Sequence, residues 1–218
     1  MTKTDYQLFI NDVKLAIEQI RKEFQENPFI FLNESDIQCY LYHILAKKYC
    51  KAKKAGITGE YTIKQNKWKM NKKVYPQIKT FSLHSEIPHG ERAFNKRVDL
   101  IYSPLNKYKF KIVKTKFGSK NKTAINRWQF DDGVGVEIKY NFKVQSQKNI
   151  SKKEEYNNFK ELKNSLKWDI GKLHYWDYGI FLFVDMYNLF TQKYFENLKR
   201  NDKNVSIYYL SENQFFKV

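Results

Sequence analysis

The longest apolar run in the chain, Ile180-Phe-Leu-Phe-Val184, lies in a segment from Gly179 to Met186 that has the length of one strand. A run this short cannot span a bilayer. Apolarity without alternation is consistent with a buried strand, and the sequence on either side supplies helices to pack over it. Residues 154–176 place Phe159, Leu162, Leu166, Ile170 and Leu173 on one helical face; 188–200 suit another helix and Val205–Leu210 a last strand. Near the amino terminus, Tyr6, Phe9, Ile10, Val13, Ile17, Ile20 and Phe24 recur in steps of three and four, a helical stripe across residues 5–26 that Pro28 closes. Asn33 is a good N-cap for a second helix running to about Tyr49, with Asp36 at its third position and Ile37, Tyr40, Leu41, Ile44 and Leu45 facing in. A basic, poorly periodic stretch from Lys51 to Lys79 precedes strand-like runs at Phe81–Ile87, Arg97–Tyr102, Tyr108–Lys114 and Val134–Tyr140. This order predicts one α/β domain over residues 1–218, a central mixed β-sheet flanked by α-helices.

The charge of the chain is unevenly distributed. Its 40 Lys+Arg and 23 Asp+Glu leave a net of +17. Residues 51–80 carry nine basic side chains and one acidic, and residues 103–130 carry eight basic and none acidic, so these two segments hold +16 of the +17. Lysine-rich solvated loops would look the same. Both segments, however, interleave the lysines with Trp68, Tyr75, Arg127 and Trp128, which suits a phosphate backbone with bases nearby. A chain of 218 residues that is 42% hydrophobic and 17% aromatic is not intrinsically disordered, and 8 Gly with 4 Pro exclude collagen-like composition. The first fourteen residues hold no apolar core of a secretory signal. Cys39 and Cys50 lack zinc-type spacing and read as reduced thiols, so a cytoplasmic location is expected. His43, His84, His89 and His174 show no ligand spacing, and Gly133-Val-Gly135 lacks the rest of a dinucleotide fingerprint.

Charged residues inside strand-like runs carry the chemical signal. Alternation along Val134–Tyr140 puts Val134, Val136, Ile138 and Tyr140 on one face, and Gly135, Glu137 and Lys139 on the other. Side-chain-free Gly135 leaves room for a bulky group beside Glu137. In Arg97–Tyr102, the same alternation puts Val98, Leu100 and Tyr102 on one face and Arg97 and Asp99 on the other. If the two strands are neighbours, two carboxylates converge beside one ammonium. An Asp99–Lys139 ion pair on a solvent-facing sheet is the plain structural alternative. Charge in a half-buried strand otherwise needs a partner or a metal. Two carboxylates with carbonyl and water oxygens make a hard-oxygen site for Mg²⁺, which offsets phosphate charge and acidifies water. A lysine beside that water can orient it and stabilise the negative charge that builds up during attack. Phosphodiester hydrolysis is the chemistry this cluster suits.

Asp99 followed by Glu137-Ile138-Lys139 resembles the D…(D/E)-x-K signature of the PD-(D/E)XK, or restriction-endonuclease-like, nuclease superfamily. Glu34 opens a helix upstream, Leu83–Pro88 precedes Arg97-Val-Asp99, and Trp168-Asp-Ile-Gly-Lys-Leu173 is similar to a helix of many members. The resemblance covers about residues 33–186, with Val98 in place of the motif's proline. It implies a restriction-endonuclease-like core. It further implies that Asp99 and Glu137 bind Mg²⁺ (or Mn²⁺ in its place) with the Ile138 carbonyl, and that Lys139 activates water. Glu34 would be a further catalytic carboxylate, either behind the metal ligands or on a second metal, and Asp169 and Lys172 would support the site. The gap of 37 residues between Asp99 and Glu137 is long for the family, and reads as a hairpin with a DNA-contacting insertion. Asp131 and Asp132 sit too close to Glu137 to turn and build a neighbouring strand.

The leading expectation is therefore a Mg²⁺-dependent endonuclease acting on DNA, in restriction, defence or a mobile element. Arg97, Lys107, Lys109, Lys111, Lys114, Lys116, Lys120, Lys122 and Arg127 are its candidate nucleic-acid contacts. RNA stays open as a substrate, and a homodimer is compatible with the sequence. The alternative is a nucleic-acid-binding protein that keeps the fold without cutting, although the full set of cluster residues is present. A peripheral membrane role lacks the basic amphipathic helix it needs.

Overall fold

A computed structural model describes residues 3–51, 53–55, 78–80, 82–88, 97–103, 115–117, 122–124, 133–141, 152–199 and 204–218. In chain order the elements are α1 (Lys3–Glu26), α2 (Glu34–Tyr49), β1 (Lys53–Ala55), β2 (Ile78–Thr80), β3 (Leu83–Pro88), β4 (Arg97–Tyr102), β5 (Thr115–Phe117), β6 (Lys122–Ala124), β7 (Val134–Asn141), α3 (Lys152–Leu173), β8 (Tyr178–Asp185), α4 (Gln192–Lys199), β9 (Val205–Leu210) and β10 (Phe215–Lys217). Six strands form one sheet in the order β10-β9-β8-β7-β4-β3. Its centre, β7-β8-β9, is parallel, with α3 and α4 in the connections, while β3, β4 and β10 join antiparallel. The pairs β1–β2 and β5–β6 are separate two-stranded antiparallel ribbons.

The sheet is covered on both faces. One face packs Val134, Val136, Ile138, Ile180, Leu182 and Val184 against the stripe of α1 (Phe9, Val13, Ile17, Ile20, Phe24) and against Ile37, Leu41 and Leu45 of α2. The other packs Phe181, Phe183, Ile207 and Tyr209 against Leu166, Ile170 and Leu173 of α3 and Phe195 of α4. The central strand β8 thus alternates between two apolar layers, which is why its sequence shows no polar alternation. At α2 the Asn33 side chain accepts from the Asp36 N–H at 3.0 Å, and the Asp36 carboxylate accepts from the Leu32 N–H at 2.8 Å, tying the helix start to the incoming chain.

Two expectations change. Val98 packs with Ile101 in the α3-side layer, not with Leu100 and Tyr102. The β4–β7 ladder ends at Leu100↔Val136, and beyond that point β4 no longer follows the alternation it keeps alongside β7. The helix expected at 188–200 starts only at Gln192. Asp185 accepts the Tyr187 and Leu189 N–H groups, and Asn188 adopts a left-handed φ of 54°. That turn holds the chain out of helix until the carboxylate is satisfied. The short strands β1, β2, β5, β6 and β10 went unread, because three residues are too few to show a period. The strand expected at Tyr108–Lys114 lies outside the described residues.

Candidate active site

The site lies where β4 and β7 part. Even-numbered residues of β7 direct their backbone N–H groups toward β4, and the ladder satisfies them as far as Val136. The next two donors on that edge, Ile138 and Tyr140, face the gap and need other acceptors. The Asp99 carboxylate takes the Ile138 N–H at 2.6 Å, and the Glu34 carboxylate takes the Tyr140 N–H at 3.3 Å. Gln38, one helical turn after Glu34, donates to the Asp99 carbonyl at 3.1 Å, and the Tyr140 hydroxyl donates to the Phe31 carbonyl at 2.8 Å. The start of α2 is therefore fastened to both strands at their point of separation. A residue's N–H and C=O point to the same strand edge, so the Ile138 carbonyl faces the same gap.

Glu137 and Lys139 project from the opposite face of β7, under α3. That face is not solvent-exposed: Asp99 is 9%, Glu137 4% and Asp169 5% accessible. The α3 helix reaches the sheet closely because Gly135 and Gly179, register partners on β7 and β8, carry no Cβ. A Cβ on Gly135 would lie 2.6 Å from the Trp176 ring, and one on Gly179 would lie 2.7 Å from Leu173 Cβ. The room left by Gly135 is thus taken by Trp176 of the protein itself. One turn before this contact, Asp169 and Lys172 point down at β7.

The ionic contacts follow from that approach. Lys172 Nζ bonds Glu137 Oε1 and sits 2.9 Å from Asp169 Oδ1. Lys139 Nζ lies 3.4 Å from Glu34 Oε2 and 3.7 Å from Asp169 Oδ2, looser contacts on a side chain 28% exposed. Burial lifts the Glu137 carboxyl to about 9; the neighbouring Asp99 charge adds to this, and the Lys172 contact opposes it. Burial alone would lower Lys172, but its contacts with Glu137 and Asp169 outweigh it and hold it above the usual lysine range. Glu137 Oε2 is buried and has no hydrogen-bond partner.

An orphaned, buried carboxylate oxygen beside a second carboxylate fits a hard divalent cation. Among the described residues no three His, Cys, Asp or Glu side chains form a metal-ligating group. Asp99, Glu137, the Ile138 carbonyl and waters would have to suffice, as one or two protein carboxylates commonly do for Mg²⁺. The structure brings Asp99, Glu137, Ile138, Lys139 and Glu34 together, with Asp169 and Lys172 beside them. It describes the backbone of Arg97 in β4, Lys116 in β5 and Lys122 in β6. Lys107, Lys109, Lys111, Lys114, Lys120, Arg127, Asp131 and Asp132 lie outside the described residues. Sequence reasoning missed Gln38, whose only signal is its i+4 spacing from Glu34, and Trp176, which had none.

Fold and site define a three-layer α/β protein with a mixed six-stranded sheet and a buried carboxylate–lysine cluster at a strand divergence. No family model, curated protein or solved structure matches this chain. Among the described residues no helix is long and apolar enough to cross a membrane.

Proposed function

We propose that this protein is a Mg²⁺-dependent endonuclease with a restriction-endonuclease-like core, hydrolysing phosphodiester bonds of DNA. One observation carries the reading: the Asp99 carboxylate bonds the Ile138 N–H, bringing Asp99 to Glu137-Ile138-Lys139 while Glu137 Oε2 stays buried and unpartnered. Asp99, Glu137 and the Ile138 carbonyl would hold the cation. When bound, it supplies positive charge at the scissile phosphate and makes water more acidic.

The remaining work falls to the chain. Lys139, held loosely by Glu34 and Asp169, can turn its ammonium toward an attacking water, orient it, and stabilise negative charge on the phosphate. Lys172 holds Glu137 through Oε1 and leaves the buried Oε2 free for the cation. Glu34 fixes the end of β7 through Tyr140 N–H and accepts from Lys139.

The test is incubation of the purified chain with supercoiled plasmid, linear duplex and single-stranded DNA in Mg²⁺ or Mn²⁺, against an EDTA control. Cleavage that stops with chelator is the expected result. Tight binding of all three substrates with no cutting would leave a non-catalytic nucleic-acid-binding protein instead.

A further inference from the structure

Glu137 has two oxygens, and they meet different fates. Oε2 is the buried orphan, whereas Oε1 is held by the Lys172 ammonium. The Lys172 side chain is only 15% exposed, and its ammonium spans Glu137 and Asp169. Its position is set by the backbone, since Leu173 and Trp176, the next contacts along the chain, are seated over Gly179 and Gly135. A lysine fixed in this way behaves less like an exposed ion pair, whose long side chain exchanges partners, than like a resident cation.

Two-metal phosphodiesterases hold their ions about 4 Å apart, a spacing that a shared carboxylate spans with its two oxygens. Sharing Glu137 would require Oε1, which Lys172 occupies.

We propose that Lys172 is a built-in second cation, standing where a second metal would bind, so that the site loads a single divalent ion. This rests on the proposed cation site and specifies how many ions it takes. Lys172 is here a positioning residue, acting through Glu137 rather than on substrate.

Ion counting tests it independently of activity. The intact chain is titrated with Mn²⁺, and bound ions are counted from the loss of the free-ion electron paramagnetic resonance signal. One ion per chain is expected for the wild type and for Lys172→Arg, which keeps the charge. Lys172→Met, with its folding checked by thermal melting, is expected to gain a second, weaker ion. Two ions on the wild type or on Lys172→Arg would overturn the proposal while leaving the cation site standing. A folded Lys172→Met that still binds one ion with unchanged affinity would overturn it equally. No ion on the wild type would overturn the cation site itself, and the count with it. Should Lys172→Met fail to fold, the wild-type and Lys172→Arg counts decide.

Discussion

Glu137 sits where its own charge is unwelcome, buried, next to Asp99 and with one oxygen unpartnered, and its carboxyl is raised to about 9. The folded protein therefore holds a proton there that the unfolded chain releases near pH 4.5. Because the folded state binds more protons over that interval, Glu137 favours folding below about pH 4.5, and its contribution is lost as pH rises through about 9. Thermal melting of metal-free protein between pH 5 and 9 should show this decline. Asp99→Asn keeps an acceptor for the Ile138 N–H but removes the neighbouring charge, so it should move the decline to lower pH. Mg²⁺ competes with the proton for Glu137, and its stabilisation should grow toward alkaline pH. An Mg²⁺ effect that is flat across this range would argue against Glu137 as a ligand. In the cleavage assay, Asp99→Ala and Glu137→Ala should abolish cutting while the fold survives. Lys139→Ala should lose about 10²–10⁴ in rate, the usual reach of a group that handles a proton or developing charge, and should still bind metal in calorimetry. A structural ion pair would give the reverse pattern, with lowered melting temperature and unchanged metal affinity.

At the scale of elements, the site depends on two departures from regular pairing: β4 joins β7 only from Leu100 onward, leaving Arg97–Asp99 off that ladder, and α3 descends onto two glycines. The second departure is directly testable. Gly135→Ala drives a methyl group into the Trp176 ring at 2.6 Å and should cost about 1–3 kcal/mol in denaturant unfolding. Lifting the end of α3 should also pull Lys172 from Glu137 and free Oε1, so the variant should take up a second, weaker Mn²⁺ as Lys172→Met does, whereas Gly171→Ala, whose added methyl meets nothing within 4 Å, should keep one. Much of this layer was legible in the sequence. The α1 stripe, the α2 cap and the β8 run each carry a period, an N-cap or a length that only one element satisfies. Asp99, Glu137 and Lys139 could be grouped because alternation in a strand fixes which side chains share a face. The glycine pair could not be read that way, since Gly135 and Gly179 meet only through the parallel register of β7 and β8, and the ring filling the space belongs to Trp176. Val98 departs from its expected face for a similar reason: alternation assumes a continuous ladder, and the β4–β7 ladder begins at Leu100, past Val98 and Asp99.

At the scale of the molecule, the two basic segments share one root. Ser82 donates its N–H to the Tyr49 carbonyl, Ser103 donates to the Ser82 carbonyl, and Gly133 packs on the Tyr102 carbonyl. The chain thus leaves for residues 51–80 and 103–130, and returns from both, at the same end of the sheet. Tyr102 is three strand residues from Asp99, roughly 10 Å at the usual rise. Under the proposed function, these segments of 30 and 28 residues, together holding +16, are the candidates for phosphate contact. If they contact DNA phosphates, affinity should fall steeply with salt, with a log–log slope of about −0.9 per phosphate neutralised. Replacing three of Lys107, Lys109, Lys111, Lys114, Lys116, Lys120, Lys122 and Arg127 by glutamine should reduce that slope by roughly one per lost contact. The loss should be nearly equal on unrelated sequences, because phosphate contacts position a protein without reading bases. Asp99→Ala and Glu137→Ala should retain the wild-type slope, since these carboxylates face the cation and not the backbone track. Fluorescence anisotropy on one labelled duplex at several salt concentrations measures every case. A triple glutamine variant with the wild-type slope would reduce 103–130 to a solvated loop and leave residues 51–80 as the segment to neutralise next.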